Sequence, residues 1–200
     1  MVRLSAIMVC VLLWCLPLAG QSAGGKNPIL KEPVLVTSCG QSPGPLKIQV
    51  FMKRLDIAFE YHLQARSEDL VKAQKAGKPF QSIIIVTGSS LKGMGAAGVS
   101  IDDEIARTKG IIEEARKQKI TLVGAHVEGM ERRAQGASVG DNSDELSIDA
   151  VCPFADVLLV RSDGDEDKRF TAIATSKKIP LVMFEKNMEL SDVLKNLYKK

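Results

Sequence analysis

Short apolar segments alternate with longer amphipathic segments six times between Pro33 and Tyr198. The apolar segments have the length of strands, and apolar residues recur in the longer segments at the three- and four-residue spacing of helices. An alternation of strand and helix without tandem hairpins predicts a parallel sheet with helices on both faces. The sequence therefore predicts an α/β fold, a three-layer doubly wound parallel sheet of five to six strands.

The apolar segments differ in how they alternate. The predicted strands cover residues 34–37, 57–63, 83–86, 121–127, 157–160 and 181–184. Segment 83–86 is apolar on both faces, which is typical of a central strand, whereas segment 57–63 alternates apolar and polar residues, which is typical of an edge strand. Right-handed crossovers restrict the remaining arrangements. We therefore favour the strand order 2-1-3-4-5-6, the flavodoxin-like arrangement.

The clearest helix signals follow the third predicted strand. Ser100 and Asp103 match the S-x-x-D pattern of a capped helix start. One face of the helix then carries Ile101, Ile105, Thr108, Ile112 and Ala115. The other predicted helices cover about 46–55, 67–77, 143–151, 166–178 and 191–198.

Three glycines, Gly93, Gly95 and Gly98, form a G-x-G-x-x-G string before this helix. In a dinucleotide site the first glycine follows the strand directly and the third lies within the helix. Here the strand ends near Thr87, and all three glycines precede the cap at Ser100. The spacing argues against a nicotinamide cofactor, and the sequence indicates no other cofactor. We interpret the segment as a flexible flap over a site, with an inert surface loop as the alternative.

The amino-terminal residues have the pattern of a secretory signal peptide. A short positive start at Arg3 precedes an apolar core, and small residues suited to cleavage end the segment. We predict a signal peptide over residues 1–24, a flexible lead-in over 25–32 and a single α/β domain over 33–200. The chain is then exported, periplasmic or secreted, with no membrane span after cleavage. An uncleaved anchor is the alternative.

Charge and cysteine content narrow the function classes. The chain has a formal net charge of +3, and removal of Arg3 leaves 26 basic and 24 acidic residues. Such dispersed, nearly balanced charge argues against nucleic-acid binding, which needs a concentrated basic face. Two cysteines follow the signal segment, Cys39 and Cys152. They either pair in an oxidising compartment or stay free, and we favour two free thiols.

Polar loops follow the first and fourth predicted strands, at the edge of a parallel sheet where ligands bind. Gly40, Ser42 and Gly44 match the nucleophile-elbow pattern, but Pro43 has no N–H for an oxyanion, which argues against a serine hydrolase. Free N–H groups at a helix start attract anions. The candidate ligand-binding residues are Ser38, Gln41, Ser42, His126, Arg132, Arg133 and Asp141.

The candidate residues at the end of the fourth strand and after it suit different kinds of chemistry. Arg132 and Arg133 suit bidentate binding of a carboxylate or phosphate. His126 suits proton transfer or ligand orientation, or is an ordinary hydrogen-bonded residue. The acids at 163–167 lack the full calcium-loop pattern, and no cysteine–histidine grouping has zinc-ligand spacing, so we predict no metal site.

Several strand-end motifs together resemble a known family. They are Thr37-Ser-x-Gly40-Gln41-Ser42, Gly98-Val99-x-Ile101-x-x-Glu104, Gly124-x-His126-x-x-Gly129-x-x-Arg132-Arg133 and Ser143-Asp144. From about Val34 to the carboxyl terminus, the chain is similar to an uncharacterised family of exported bacterial domains. The resemblance implies a Rossmann-like three-layer fold, no assigned activity and no catalytic residue.

Three functions are consistent with these residues. The leading hypothesis is an exported protein that binds a small polar or anionic molecule at the carboxyl ends of the strands. A hydrolase or transferase that uses His126 or Asp141 as a general base is the first alternative. A protein-interaction module without a ligand is the second.

Overall fold

A computed structural model describes residues 28–134 and 140–198. The predicted signal peptide and the first residues of the lead-in lie outside the described residues. Six strands form one sheet: β1 (Val34–Cys39), β2 (Phe59–Tyr61), β3 (Ser82–Thr87), β4 (Thr121–His126), β5 (Val157–Arg161) and β6 (Leu181–Phe184). Every neighbouring pair is parallel, and the order is β2-β1-β3-β4-β5-β6. The predicted fold class and strand order are confirmed.

Eight helices connect and cover the strands within the described residues. They are α1 (Gly44–Arg54), α2 (Ser67–Lys75), α3 (Leu91–Ala97), α4 (Ile101–Gln118), α5 (Met130–Ala134), α6 (Ser143–Val151), α7 (Arg169–Lys177) and α8 (Glu189–Leu197). Short 3₁₀ turns at Cys152–Phe154 and Ser162–Asp165 precede β5 and α7.

The core has one half on each side of the sheet. Helices α1 and α8 bury Ile48, Met52 and Leu194 against one face. Helices α2, α4, α6 and α7 cover the other face with residues that include Ile111 and Phe170. Successive strand residues alternate between the two halves, as a strand covered on both faces requires. Within residues 28–134 and 140–198, no helix is long and apolar enough to cross a bilayer.

The glycine-rich segment is helical, which corrects the flap interpretation. Helix α3 begins after Ser90, whose side chain accepts a hydrogen bond from the Gly93 amide, and it ends at Gly98 in the left-handed conformation. A Cβ on Gly93 would lie 2.3 Å from the Gln41 carbonyl oxygen. Gly93 therefore allows α3 to pack on the loop after β1, a use of glycine that sequence spacing does not reveal.

The buried face of α4 also differs from the predicted stripe. Thr108, Ile112 and Ala115 are buried as predicted, but the first turns bury Glu104 and Arg107 in place of Ile101 and Ile105. An ion pair on the inner face of a helix is uncommon because charged groups lose their hydration there. This departure from the apolar pattern marks the part of α4 that contacts the loop after β1.

Cys39 and Cys152 are free, as favoured from the sequence, and both are buried. Burial raises the pKa of the Cys39 thiol to about 12, and burial also raises the pKa of Cys152. Because the thiolate is the reactive form, we expect neither cysteine to be alkylated by iodoacetamide at pH 8 in the folded protein. Mass spectrometry before and after unfolding in urea tests this. Labelling of either thiol without unfolding would contradict the structure.

Candidate functional site

The loops after β1 and β3 meet at the carboxyl edge of the sheet. The Ser90 amide donates to the Gly40 carbonyl oxygen at 2.8 Å, and Gln41 forms an antiparallel bridge with Ser89. The order in which the strands are connected reverses between β1 and β3, and in open α/β sheets that position is where ligands bind. Here backbone contacts between the two loops occupy the position.

A buried ion pair holds the loop after β1. The Glu104 carboxylate accepts hydrogen bonds from the Gly40 amide and the Gln41 side-chain amide, both at 2.9 Å. Arg107 donates to Glu104 at 3.0 and 2.8 Å. It also donates to the carbonyl oxygens of Ser38 and Ala65 at 2.6 and 2.7 Å. The pair thus joins α4 to the loops after β1 and β2.

Ser38 and Gln41 are part of this buried cluster. The Ser38 hydroxyl donates to the Leu63 carbonyl oxygen at 3.0 Å, and its side chain is fully buried. Gln41 is also buried, with its amide on Glu104. These two predicted ligand-binding residues therefore use their side chains in hydrogen bonds that fix the loop.

A second buried carboxylate lies between α1 and α5. Glu128 accepts a hydrogen bond from the Gly44 amide at 3.1 Å and binds Arg132 at 3.2 and 2.7 Å. Arg132 also donates to the Ser89 carbonyl oxygen at 2.9 Å. Ser42 lies beside them, with its hydroxyl accepting from the Gly44 amide at 3.3 Å. Ser42 and Arg132 are thus brought together, although Glu128 neutralises the arginine.

Arg133 is fully occupied by other groups. Its five N–H groups bind Glu145, Asp167 and the Gly164 carbonyl oxygen. Burial disfavours its charge, but the hydrogen bonds that it donates to Asp167 and Glu145 outweigh burial and raise the pKa of Arg133. Arg133 therefore has no donor left for a ligand.

A cavity of about 290 Å³ opens between the loop after β3, helix α5 and the start of α6. It is lined by Ser89, Ser90, Leu91, Lys92, Arg132, Arg133, Asp141, Asn142, Ser143, Asp144 and Glu145. We call it the β3–β4 pocket. Three of the predicted ligand-binding residues, Arg132, Arg133 and Asp141, line it.

Hydrogen bonds hold the acidic wall of the β3–β4 pocket. Asp141 accepts from the Ser143 amide at 2.9 Å, and Asp144 accepts from the Ser89 amide at 3.2 Å. The Ser143 hydroxyl donates to the Ser89 hydroxyl at 2.6 Å. These hydrogen bonds join the start of α6 to the loop after β3. They therefore fix the relative positions of the two segments on either side of the pocket.

His126 lies beneath the pocket. Its side chain is completely buried, and neither ring nitrogen has a hydrogen-bond partner among the described residues. Nε2 lies 3.9 Å from an Asp144 carboxylate oxygen, and the ring packs 5.2 Å from the Phe170 ring. His126 is therefore next to a pocket residue without itself lining the pocket.

We expect His126→Leu to leave stability unchanged or to raise it by about 1 kcal/mol, because a buried polar group without a partner is unfavourable. Urea unfolding with fluorescence detection measures the change. His62→Leu is the control, since the His62 side chain is 64% exposed. A loss above about 1 kcal/mol for His126→Leu would show that His126 has a partner that stabilises the fold.

Two further cavities have different linings. One of about 540 Å³ lies between the starts of α2 and α4, with the bonded Glu104 and Arg107 among its lining residues. The other, about 850 Å³, lies at the opposite edge, near Pro33 and Tyr198. The β3–β4 pocket is distinguished from both by its three predicted ligand-binding residues.

Three of the four acids at 163–167, Asp163, Asp165 and Asp167, have structural partners. Asp165 accepts hydrogen bonds from the Phe170 amide at 2.7 Å and the Thr171 amide at 3.2 Å, which caps α7. Asp163 pairs with Arg161 at 3.0 Å. Among the described residues there is no group of three or more histidine, cysteine, aspartate or glutamate side chains that could hold a metal ion.

The fold and the pocket define an α/β protein with an open parallel sheet and a polar pocket at the carboxyl edge. Residues 31–198 match the family model described as "Domain of unknown function (DUF6305)". The chain belongs to this family, which confirms the resemblance to an uncharacterised family. No curated protein matches the sequence.

Solved structures with a similar arrangement are distant. An esterase, EstA, from Pseudoalteromonas sp. is 10% identical with a TM-score of 0.38, over 76% of each chain. A GDSL-like lipase from Bacteroides thetaiotaomicron is 13% identical with a TM-score of 0.35, over 75% of this chain and 66% of that one. A GDP-L-fucose synthetase from Naegleria fowleri, bound to NADP, is 10% identical with a TM-score of 0.36, over 80% and 52%. Likeness of this degree carries no argument about activity.

The carboxylates that fix the loops around the site, Glu104, Glu128 and Asp144, were not among the residues predicted from the sequence. Glu104 and Arg107 have the i, i+3 spacing of a helical ion pair, and this signal was available. Glu128 lies four residues before Arg132, a second available signal. The role of Asp144 in the pocket depends on the contact between α6 and the loop after β3, which no local spacing reveals.

Proposed function

We propose that this protein binds a small polar molecule in the β3–β4 pocket. The observation that supports the proposal is the convergence of charged side chains of both signs on one cavity, whose lining includes Lys92, Arg132, Asp141 and Asp144. Ligand pockets usually measure about 300–1,000 Å³. A cavity of about 290 Å³ therefore suits a molecule smaller than a nucleotide.

A thermal-shift screen of the purified chain against sugars, amino acids, phosphate, nucleotides and divalent metals tests the proposal. A ligand at 100 times its Kd stabilises by about 2.7 kcal/mol, which raises Tm by roughly 5–10 °C for a domain of this size. Lys92→Glu should abolish the shift, whereas Lys109→Glu, an exposed change on α4, should preserve it. A flat response across the panel would contradict the proposal and favour the protein-interaction alternative.

A hydrolase or transferase at the same pocket is the alternative. Its base would be Asp141 rather than His126, because the His126 side chain is completely buried. Turnover of the bound compound, followed by mass spectrometry, separates this alternative from binding alone. Loss of turnover in Asp141→Asn with unchanged Kd would favour the enzyme.

We also propose that the chain is exported, on the basis of the signal-peptide pattern in residues 1–24. Expression in a bacterial host followed by intact-mass measurement tests this. The expected result is a processed protein that begins near residue 25 and is found outside the cytoplasm. An intact amino terminus on a cytoplasmic protein would contradict export.

A further inference from the structure

We infer that the ligand of the β3–β4 pocket is a small zwitterion, with its anionic group on Arg132 and Lys92 and its cationic group on Asp141. This inference rests on the proposed function and names the chemical class of its ligand. It follows from counting which polar groups at the pocket already have hydrogen bonds and which do not.

The basic wall has donors left over. Arg132 uses three of the five guanidinium N–H groups, two on Glu128 and one on the Ser89 carbonyl oxygen. Lys92 is exposed and makes no ion pair within the described ranges. Since Arg133 is saturated, an anionic group in the pocket binds Arg132 and Lys92.

The acidic wall has an acceptor left over on Asp141. One Asp141 oxygen takes the Ser143 amide, and the carboxylate makes no other hydrogen bond in the part of the chain that is described. The Asp144 carboxylate is already engaged, because Oδ1 accepts from the Ser89 amide and Oδ2 is buried 3.5 Å from Nε of Arg133. Asp141 therefore offers the acceptor for a cationic group, and Asp144 adds negative charge to the same lining.

The two walls favour opposite charges on one molecule. A simple anion would satisfy Arg132 but lie against Asp141 and Asp144, and a simple amine would lie against the cations. A zwitterion satisfies both walls, and its few atoms fit a cavity of about 290 Å³. Discrimination against a compound that lacks one charged group is strong where a buried partner would be left unpaired.

Isothermal titration calorimetry with matched compounds tests the inference. The probes are the common amino acids and γ-aminobutyrate, with butyrate and butylamine as analogues that each lack one charge. Inorganic phosphate and glucose complete the panel. We expect at least one zwitterion to bind ten-fold or more tightly than either single-charge analogue.

Conservative variants assign the two ends of the ligand. Asp141→Asn keeps an acceptor for the Ser143 amide but lacks the charge, so it should weaken zwitterion binding ten-fold or more. Lys92→Met should weaken it at the anionic end, and the exposed control Asp149→Asn should not.

The outcomes separate the inference from the proposed function. Phosphate or glucose that binds with sensitivity to Lys92→Met, while no zwitterion binds, overturns the inference and leaves the proposed function standing. Equal binding of butyrate and γ-aminobutyrate also overturns it. No binding by any probe overturns both.

Discussion

Glu104→Gln should destabilise the protein by about 3–5 kcal/mol, the usual result of removing one partner from a buried ion pair. The substitution keeps the size of the side chain but leaves the Arg107 guanidinium, 4% exposed, without a counter-charge. It also weakens the hydrogen bonds that Glu104 accepts from Gly40 and Gln41. The loop after β1 should become mobile as a result.

Urea unfolding of wild type and variant measures the loss, and Glu113→Gln is the matched control. Glu113 is exposed on the same helix, so its change should stay within about 0.5 kcal/mol. The double variant Glu104→Gln, Arg107→Met removes both charges and should recover part of the stability. A loss below about 1 kcal/mol for Glu104→Gln would mean that the pair is hydrated in solution.

Gly40→Ala should also destabilise the fold strongly, by about 2–6 kcal/mol, because strained backbone and overpacking each contribute roughly 1–3 kcal/mol. Gly40 has a φ of +102°, and an added Cβ would lie 2.6 Å from the Gly88 carbonyl oxygen and 2.8 Å from the Ser89 Cα. The new methyl group would push apart the loops after β1 and β3. Those loops include the backbone of Ser89, which lines the β3–β4 pocket.

Gly77→Ala separates the effect of backbone conformation from that of close contact. Gly77 has a φ of +71°, but nothing lies within 4 Å of an added Cβ. Its substitution should therefore reduce stability by only about 1–2 kcal/mol. Calorimetry gives both Tm values. Equal losses for the two alanines would show that contact between the loops contributes nothing.

Topology was predictable because it depends on local patterns. Segment 83–86, apolar on both faces, and segment 57–63, alternating, distinguish a central from an edge strand. Right-handed crossovers then leave few orders. The edge strand β2 proved shorter than predicted, Phe59–Tyr61, because only those residues pair with β1.

Helix α3 was not predictable in the same way. Its seven residues include two glycines, which disfavour helix by about 1 kcal/mol each relative to alanine. The cap from Ser90 and packing on Gln41 compensate, and the packing depends on the tertiary position of the loop after β1. A segment whose glycines allow close packing can therefore be mistaken for a flexible loop when only its sequence is considered.

The sequence predicted the location of the candidate site better than it predicted which side chains are free to bind a ligand. The carboxyl edge of β4 does carry a polar pocket with Arg132 and Asp141 in its lining. The sequence could not show that Arg133 is saturated by Glu145 and Asp167, because those partners are 12 and 34 residues away. For that reason, Arg133 was predicted to bind an anion although its donors are already used.

Amide chemical-shift mapping tests whether the β3–β4 pocket is the ligand site. ¹H–¹⁵N spectra of the labelled chain are recorded with and without the compound that gives the largest thermal shift. We expect the largest changes on Ser89, Ser90, Ser143 and Asp144, which line the cavity. Changes concentrated instead around Ser67 and Val99, or around Lys78 and Tyr198, would place the ligand in another cavity and contradict this assignment.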